Sequence, residues 1–152
     1  MKIFIGGSKM ISEIDKNVKE KLDEIIKNKY EVLIGDCWGI DAAVQKFFAE
    51  KDYRNVTVYA TGNSVRNNVG RFDVCNVVSN GAEGFAFYRQ KDIAMIKDAD
   101  CGFMIWDKKS KGTLNNIIDL LNQNKSVEVY LHDEKVFKMI DDIKALDDIK
   151  TI

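Results

Sequence analysis

The chain has 152 residues, 23 Lys plus Arg against 24 Asp plus Glu, a formal net charge of −1 and 45% hydrophobic residues. That composition excludes a disordered chain, which combines low hydrophobicity with high net charge. The length suits one domain, able to bury about 68–70% of its unfolded surface. Balanced charge argues against a general nucleic-acid coat, which leaves a basic excess, but leaves room for one small anionic ligand in a local pocket.

No apolar run approaches the ~18 residues of a membrane span. Lys2-Ile3-Phe4-Ile5 lacks the long apolar stretch and cleavage site of a signal peptide. Cys37, Cys75 and Cys101 are odd in number and widely spaced, with no Cys-x-x-Cys. They encode neither a zinc site nor a disulfide frame and read as reduced thiols of a cytoplasmic protein.

Lys2–Gly6 reads as a short strand ending in Gly6-Gly7-Ser8. Ile11, Ile14, Val18, Leu22, Ile25 and Ile26 then recur at helical spacing, with Ser12 as N-cap and Asp15 as its capping-box partner. Tyr30–Ile34 is a second strand, about 41–50 a second helix and Val56–Tyr59 a third strand. The stretch 60–84 is rich in Asn, Gly and Ser and carries Arg66 and Arg71. It reads either as a binding loop or lid or as a surface insertion, with a possible short strand at Val74–Val78. Phe85–Lys97 is a helix with Ile93, Ala94 and Ile96 as buried positions, followed by a strand at Cys101–Trp106. A polar turn at Asp107–Gly112 leads into a helix at Thr113–Asn122, and Val127–Leu131 is a last strand. Asp133–Lys150 reads as a helical segment, with Val136, Ile140, Ile143 and Leu146 on one stripe and Phe137 beside it as a dimer contact.

Alternating strands and helices predict a single α/β domain, with a mainly parallel sheet covered by helices on both faces. Such sheets bind ligands beyond the carboxyl ends of their strands, where strand order reverses. Small and polar residues cluster at those ends: Gly6-Gly7-Ser8-Lys9, Gly35-Asp36-Cys37-Trp38-Gly39-Ile40-Asp41, and the turn from Asp107 to Thr113.

Ser110-Lys111-Gly112-Thr113 best fits an anion site, because free N–H groups at a helix start hold phosphate; alternatively Thr113 caps its helix and Gly112 turns the chain. Neither Gly-x-x-x-x-Gly-Lys-[Ser/Thr] nor Gly-x-Gly-x-x-Gly is present, which argues against P-loop hydrolysis and standard nicotinamide dehydrogenase chemistry. Asp36 and Asp41 suit ribose hydroxyls, or else stabilise a turn and cap a helix. Trp38, Arg66 and Trp106 face either the ligand or the core, while Lys91, Arg89 and Arg66 are cations for phosphate or a solvated helix face. His132 is the only histidine, so a His triad or zinc site is not encoded. No metal site or cofactor is predicted.

In order along residues 2–131, these segments resemble the SLOG superfamily. It includes the lysine-decarboxylase-like phosphoribohydrolases, the DNA-processing protein A family and small bacterial proteins of the YspA/YpsA type. The resemblance rests on Gly6-Gly7-Ser8, Gly35-Asp36-x-x-Gly39-x-Asp41-x-x-Val44, Lys91-Asp92-x-x-Met95, Ala99-Asp100, Trp106-Asp107 and Ser110-x-Gly112-Thr113. It implies a Rossmann-like fold that binds nucleotides or nucleotide-derived molecules, often as a homo-oligomer. The phosphoribohydrolases carry Pro-Gly-Gly-x-Gly-Thr-x-x-Glu and an Arg four residues before a Met. This chain has Asn116 at the Glu position and Lys91 at the Arg position. Asn cannot take a proton at neutral pH, and Lys lacks the planar fork of Arg. A catalytic carboxylate would have to come from Asp36, Asp41, Glu83 or Asp92.

The leading expectation is a module that binds a nucleotide or nucleotide-derived molecule and senses or sequesters it. The alternative is a nucleoside-monophosphate N-glycosidase or related nucleotide hydrolase. A third reading is a partner-binding domain with a vestigial pocket.

Overall fold

The computed structural model describes residues 1–150 of the chain. The elements run β1 (Lys2–Gly7), α1 (Lys16–Lys27), β2 (Glu31–Gly35), α2 (Ile40–Glu50), β3 (Val56–Thr61), β4 (Asp73–Val77), α3 (Gly84–Asp98), β5 (Cys101–Trp106), α4 (Lys111–Asn122), β6 (Val127–Leu131), β7 (Val136–Ile140) and α5 (Ile143–Lys150). The strands form one seven-stranded sheet in the order β4-β3-β2-β1-β5-β6-β7. Every neighbouring pair is parallel except β6–β7. This is the predicted α/β, Rossmann-like architecture.

The central strands are apolar on both faces, as a sheet sandwiched between helices requires. Ile3, Ile5, Phe103 and Ile105 point into one layer, closed by Val18, Leu22 and Ile25 of α1 and Val44 and Phe48 of α2. Phe4, Met104 and Trp106 point into the other, closed by Met95 and Ile96 of α3, Ile117 and Leu120 of α4, and Leu146 of α5. The chain leaves β1 first toward β2 and later returns to β5 on its other side. Strand order therefore reverses between β1 and β5, where a crevice opens above the carboxyl ends.

Three local expectations are corrected. Ser12 does not cap α1: the helix starts four residues later, where Asp15 accepts the Val18 N–H. Ile11 is nonetheless buried, its side chain packed into the core with Ile14 against it. In α3, Ile93 is exposed while Lys91 is buried, because the helix turns a mixed polar and aromatic stripe toward the crevice. Gly112 lies inside α4 rather than in the preceding turn.

The 133–150 segment is not one helix. Residues 136–140 form the antiparallel edge strand β7, and only Ile143–Lys150 is helical. Phe137 lies on that strand, its ring stacked on Phe103 and tilted against Tyr130, so it is not a contact beside a helical stripe.

The 60–84 stretch contains β4, close to the expected position. Its 62–72 connection is pinned rather than loose. Gln45 donates to the Gly35 and Asn67 carbonyls and accepts from Val69 N–H. Asn68 and Phe72 exchange two bonds, and Arg54 donates to the carbonyls of Gly70 and Arg71.

Candidate functional site

Ser8 joins the three glycine-bearing turns. Its carbonyl accepts the Ile40 N–H at the head of α2, its hydroxyl accepts the Asp107 N–H after β5, and its own N–H donates to Ile105. The packing leaves no space for larger residues. A Cβ on Gly7 would lie 2.5 Å from the Ile105 carbonyl oxygen and 2.8 Å from Ile40. Gly39 has φ +73° and abuts the Lys9 backbone, 2.3 Å from where a Cβ would stand. Only glycine combines that φ with that closeness.

A cavity of about 770 Å³ opens over these turns. Gly6, Gly7 and Lys9 of the first turn, Cys37, Trp38 and Asp41 of the second, and 109–113 of the third border it. A further wall is a stripe of α3, Phe85, Tyr88, Arg89, Asp92 and Met95, at helical spacing. Sequence reasoning missed Phe85 and Tyr88, although that mixed aromatic and charged periodicity was their signal.

The predicted residues divide into wall and frame. Trp38 is 63% exposed at the rim, whereas Trp106 is 2% exposed in the core. The Trp106 indole N–H donates to the Ser110 carbonyl at 3.1 Å, so it braces the third turn and does not line the cavity. Ser8 is fully buried and its groups are spent on the frame. Asp36 is also buried: its carboxylate accepts the Arg66 backbone N–H at 2.9 Å and the Arg66 guanidinium at 2.7 Å. That pair brings Arg66 to the wall, where its guanidinium lies 4.1 Å from the centre of the Tyr88 ring. Gly35 and Gly39 lie behind the wall, and Glu83 is exposed outside it.

Two carboxylate candidates remain, and both reach the cavity. Asp41 does not cap α2, which has Gly39 at its N-cap and no side-chain capping bond. It folds back to accept the Cys37 N–H at 3.1 Å. Gly35 makes room beside it: a Cβ there would stand 2.6 Å from Asp41 Oδ2 and 3.0 Å from Lys91 Nζ. Burial pushes the Asp41 pKa up to about 7; Lys91 pulls it down, while Asp92 pushes it further up. Burial also disfavours the Lys91 ammonium, but Asp92 and Asp41 outweigh it and hold the lysine charged.

Lys91 Nζ donates to Asp92 at 2.6 Å, and Asp92 accepts from the Asn116 amide at 3.3 Å. The Asn116 carbonyl oxygen accepts from Arg89 at 2.5 Å, and Arg89 also pairs with Asp119. Arg89 thus places a planar cationic fork beside Asn116, two residues before the position the sequence motif marks.

At the third turn, Asp107 accepts the N–H groups of Lys109 and Ser110, which helps hold its pKa below the usual range against burial. Ser110 caps α4 by accepting the Thr113 N–H, and the Thr113 hydroxyl donates to it as well. Both hydroxyls therefore serve the cap. The Lys111 and Gly112 N–H groups lie ahead of the first intrahelical bond, Leu114 to Ser110. A Cβ on Gly112 would meet nothing within 4 Å.

Six cationic side chains border the cavity against three carboxylates, Asp41, Asp92 and Asp107. A chain of net charge −1 thus concentrates positive charge in one hollow. Among the described residues no group of three or more His, Cys, Asp or Glu is placed to hold a metal ion, and no helix is long and apolar enough to cross a membrane. No family model, curated protein or solved structure matches the chain.

Proposed function

We propose that the chain binds a nucleotide or nucleotide-derived small molecule in this cavity. One observation carries the reading: three turns and the α3 stripe converge on a single hollow that is net cationic and rimmed by aromatic rings. The cations and the head of α4 suit phosphate oxygens. Trp38 and Phe85 offer exposed faces on which a base can stack. A cavity of about 770 Å³ is within the size range of small-molecule sites. The SLOG resemblance of the sequence points the same way.

Thermal shift against ribonucleotides, NAD, ADP-ribose and cyclic nucleotides tests it. A binder at ~100 times its Kd adds about 2.7 kcal/mol, a rise of roughly 5–10 °C for a chain of this size. A panel in which no compound raises the midpoint overturns the reading.

Asp41 favours a second reading, N-glycosidic hydrolysis of a nucleoside monophosphate. Its pKa of about 7 puts a cavity-wall carboxyl where a general acid or base works best. Asp41 would activate water for attack at the ribose carbon, while Lys91 and Arg89 hold the phosphate side. Chromatography for free base after incubation with AMP separates the two readings. Base release by wild type that disappears in Asp41→Asn supports hydrolysis, and intact AMP leaves the binding module.

A further inference from the structure

The charges packed around the cavity floor do not balance. Three cations there each touch a carboxylate: Arg66 meets Asp36 at 2.7 Å, Lys91 meets Asp92 at 2.6 Å, and Arg89 pairs with Asp119. Arg89 also lies 3.7 Å from Asp92. Asp41 is the fourth carboxylate of this cluster and the odd one. It is 6% exposed, it lines the cavity, and it accepts the Cys37 N–H. Lys91, the cation beside it, gives its hydrogen bond to Asp92 instead.

The groups that act on Asp41 come from every element around it. Asp36 and Cys37 belong to its own turn, Lys91 and Asp92 to α3, and Arg66 reaches the turn from the 62–72 connection through Asp36. With Asp41 ionised, four negative charges face three positive ones. With a proton on Asp41 the cluster is neutral. Burial and the carboxylates of Asp92 and Asp36 favour that proton against the pull of Lys91, and bring the group to about 7. An anion entering the cavity adds negative charge beside the same cluster. It therefore favours the protonated carboxyl, and by reciprocity the proton favours the anion.

We propose that Asp41 is a proton switch for the cavity: the chain holds an anionic ligand while Asp41 is protonated and releases it when that proton leaves. The inference rests on the nucleotide reading above and gives that site its regulation.

Calorimetric titration with NAD, ADP-ribose and cyclic AMP at pH 6, 7 and 8 tests this. Their phosphates are diesters of constant charge across that range, whereas a phosphate monoester titrates near pH ~6. The Kd of any compound that binds is expected to rise about tenfold from pH 6 to pH 8, as the protonated fraction falls. His132 and the Met1 amino group do not line the cavity, so that slope reports on the cluster. Asp41→Asn fixes a neutral side chain and is expected to bind about tenfold tighter than wild type at pH 8, with the slope gone. Asp92→Asn removes one carboxylate and hands Lys91 to Asp41, so the fall in affinity is expected to move to lower pH. A flat profile in wild type, or a slope that persists in Asp41→Asn or keeps its midpoint in Asp92→Asn, overturns the switch and leaves the nucleotide reading intact. Absence of binding by all three compounds at every pH overturns both.

Discussion

The turns after β1 and β2 and the turn after β5 are built from the same residue types, yet they use them differently. In the first two, glycines and polar groups are mostly consumed by the frame. Gly7 and Gly39 let backbones touch, Ser8 spends its atoms on two other turns, and Asp36 is locked to Arg66. In the third, Gly112 faces open space and the head of α4 borders the cavity. A Gly-rich strand end can thus be a joint or a mouth, and neighbouring backbone decides which.

Paired glycine substitutions test that contrast most strongly. Gly7→Ala forces a Cβ against a backbone oxygen and is expected to cost about 3 kcal/mol. Gly112→Ala relieves the helix penalty of glycine and is expected to add roughly 0.5 kcal/mol. Urea unfolding of both variants checks this, and equal effects would mean that the two turns do not differ in kind. Next in size, Ser8→Ala leaves the Asp107 N–H without its hydroxyl partner and is expected to cost about 1–2 kcal/mol.

Asp36 and Asp41 also mark where sequence reasoning stops. They share one turn and one chemistry, and both suit ribose. Arg66, thirty residues away, claims Asp36, while Asp41 is left beside Lys91 in the cavity wall. Local pattern does not encode that choice. Strand positions and the α1 face were more legible, because runs such as Ile3–Ile5 and the 18–22–25 stripe of α1 carry their own periodicity. The 136–140 segment was not: its apolar spacing fits a helix as well as a five-residue strand, and only pairing with β6 decides. The α3 wall was half legible, since its cations stood out but Phe85 and Tyr88 did not.

Asp41 gives the contrast a pH signature. Its carboxyl, raised from 3.8 to about 7 mainly by burial, stays protonated in the folded chain at pH values where the unfolded chain has released that proton. Its contribution is therefore fully present below about pH 4 and is lost as pH rises through 7. Asp41→Asn is expected to flatten that decline, so the variant gains on wild type between pH 5 and pH 8. Melting curves at the two pH values read the difference, and an equal difference at pH 5 and pH 8 would place Asp41 as an ordinary ionised carboxylate.

Trp38 carries the smallest expected change in stability, and the two tryptophans divide clearly in ligand response. Trp38 has little packing to lose, so Trp38→Ala is expected to move stability by no more than about 0.5 kcal/mol. Stacking of a base is worth about 1–3 kcal/mol, so the same change is expected to weaken a bound nucleotide by about fivefold or more. Trp106 is the reverse: Trp106→Phe removes the brace on the Ser110 carbonyl but no surface of the cavity. Tryptophan fluorescence separates them, because a nucleotide stacked at the rim quenches Trp38 alone. Quenching is expected to survive in Trp106→Phe and to disappear in Trp38→Ala. Quenching that follows Trp106 instead would put the ligand on the buried side of the third turn, and the distinction between joint and mouth would then be drawn at the wrong residues.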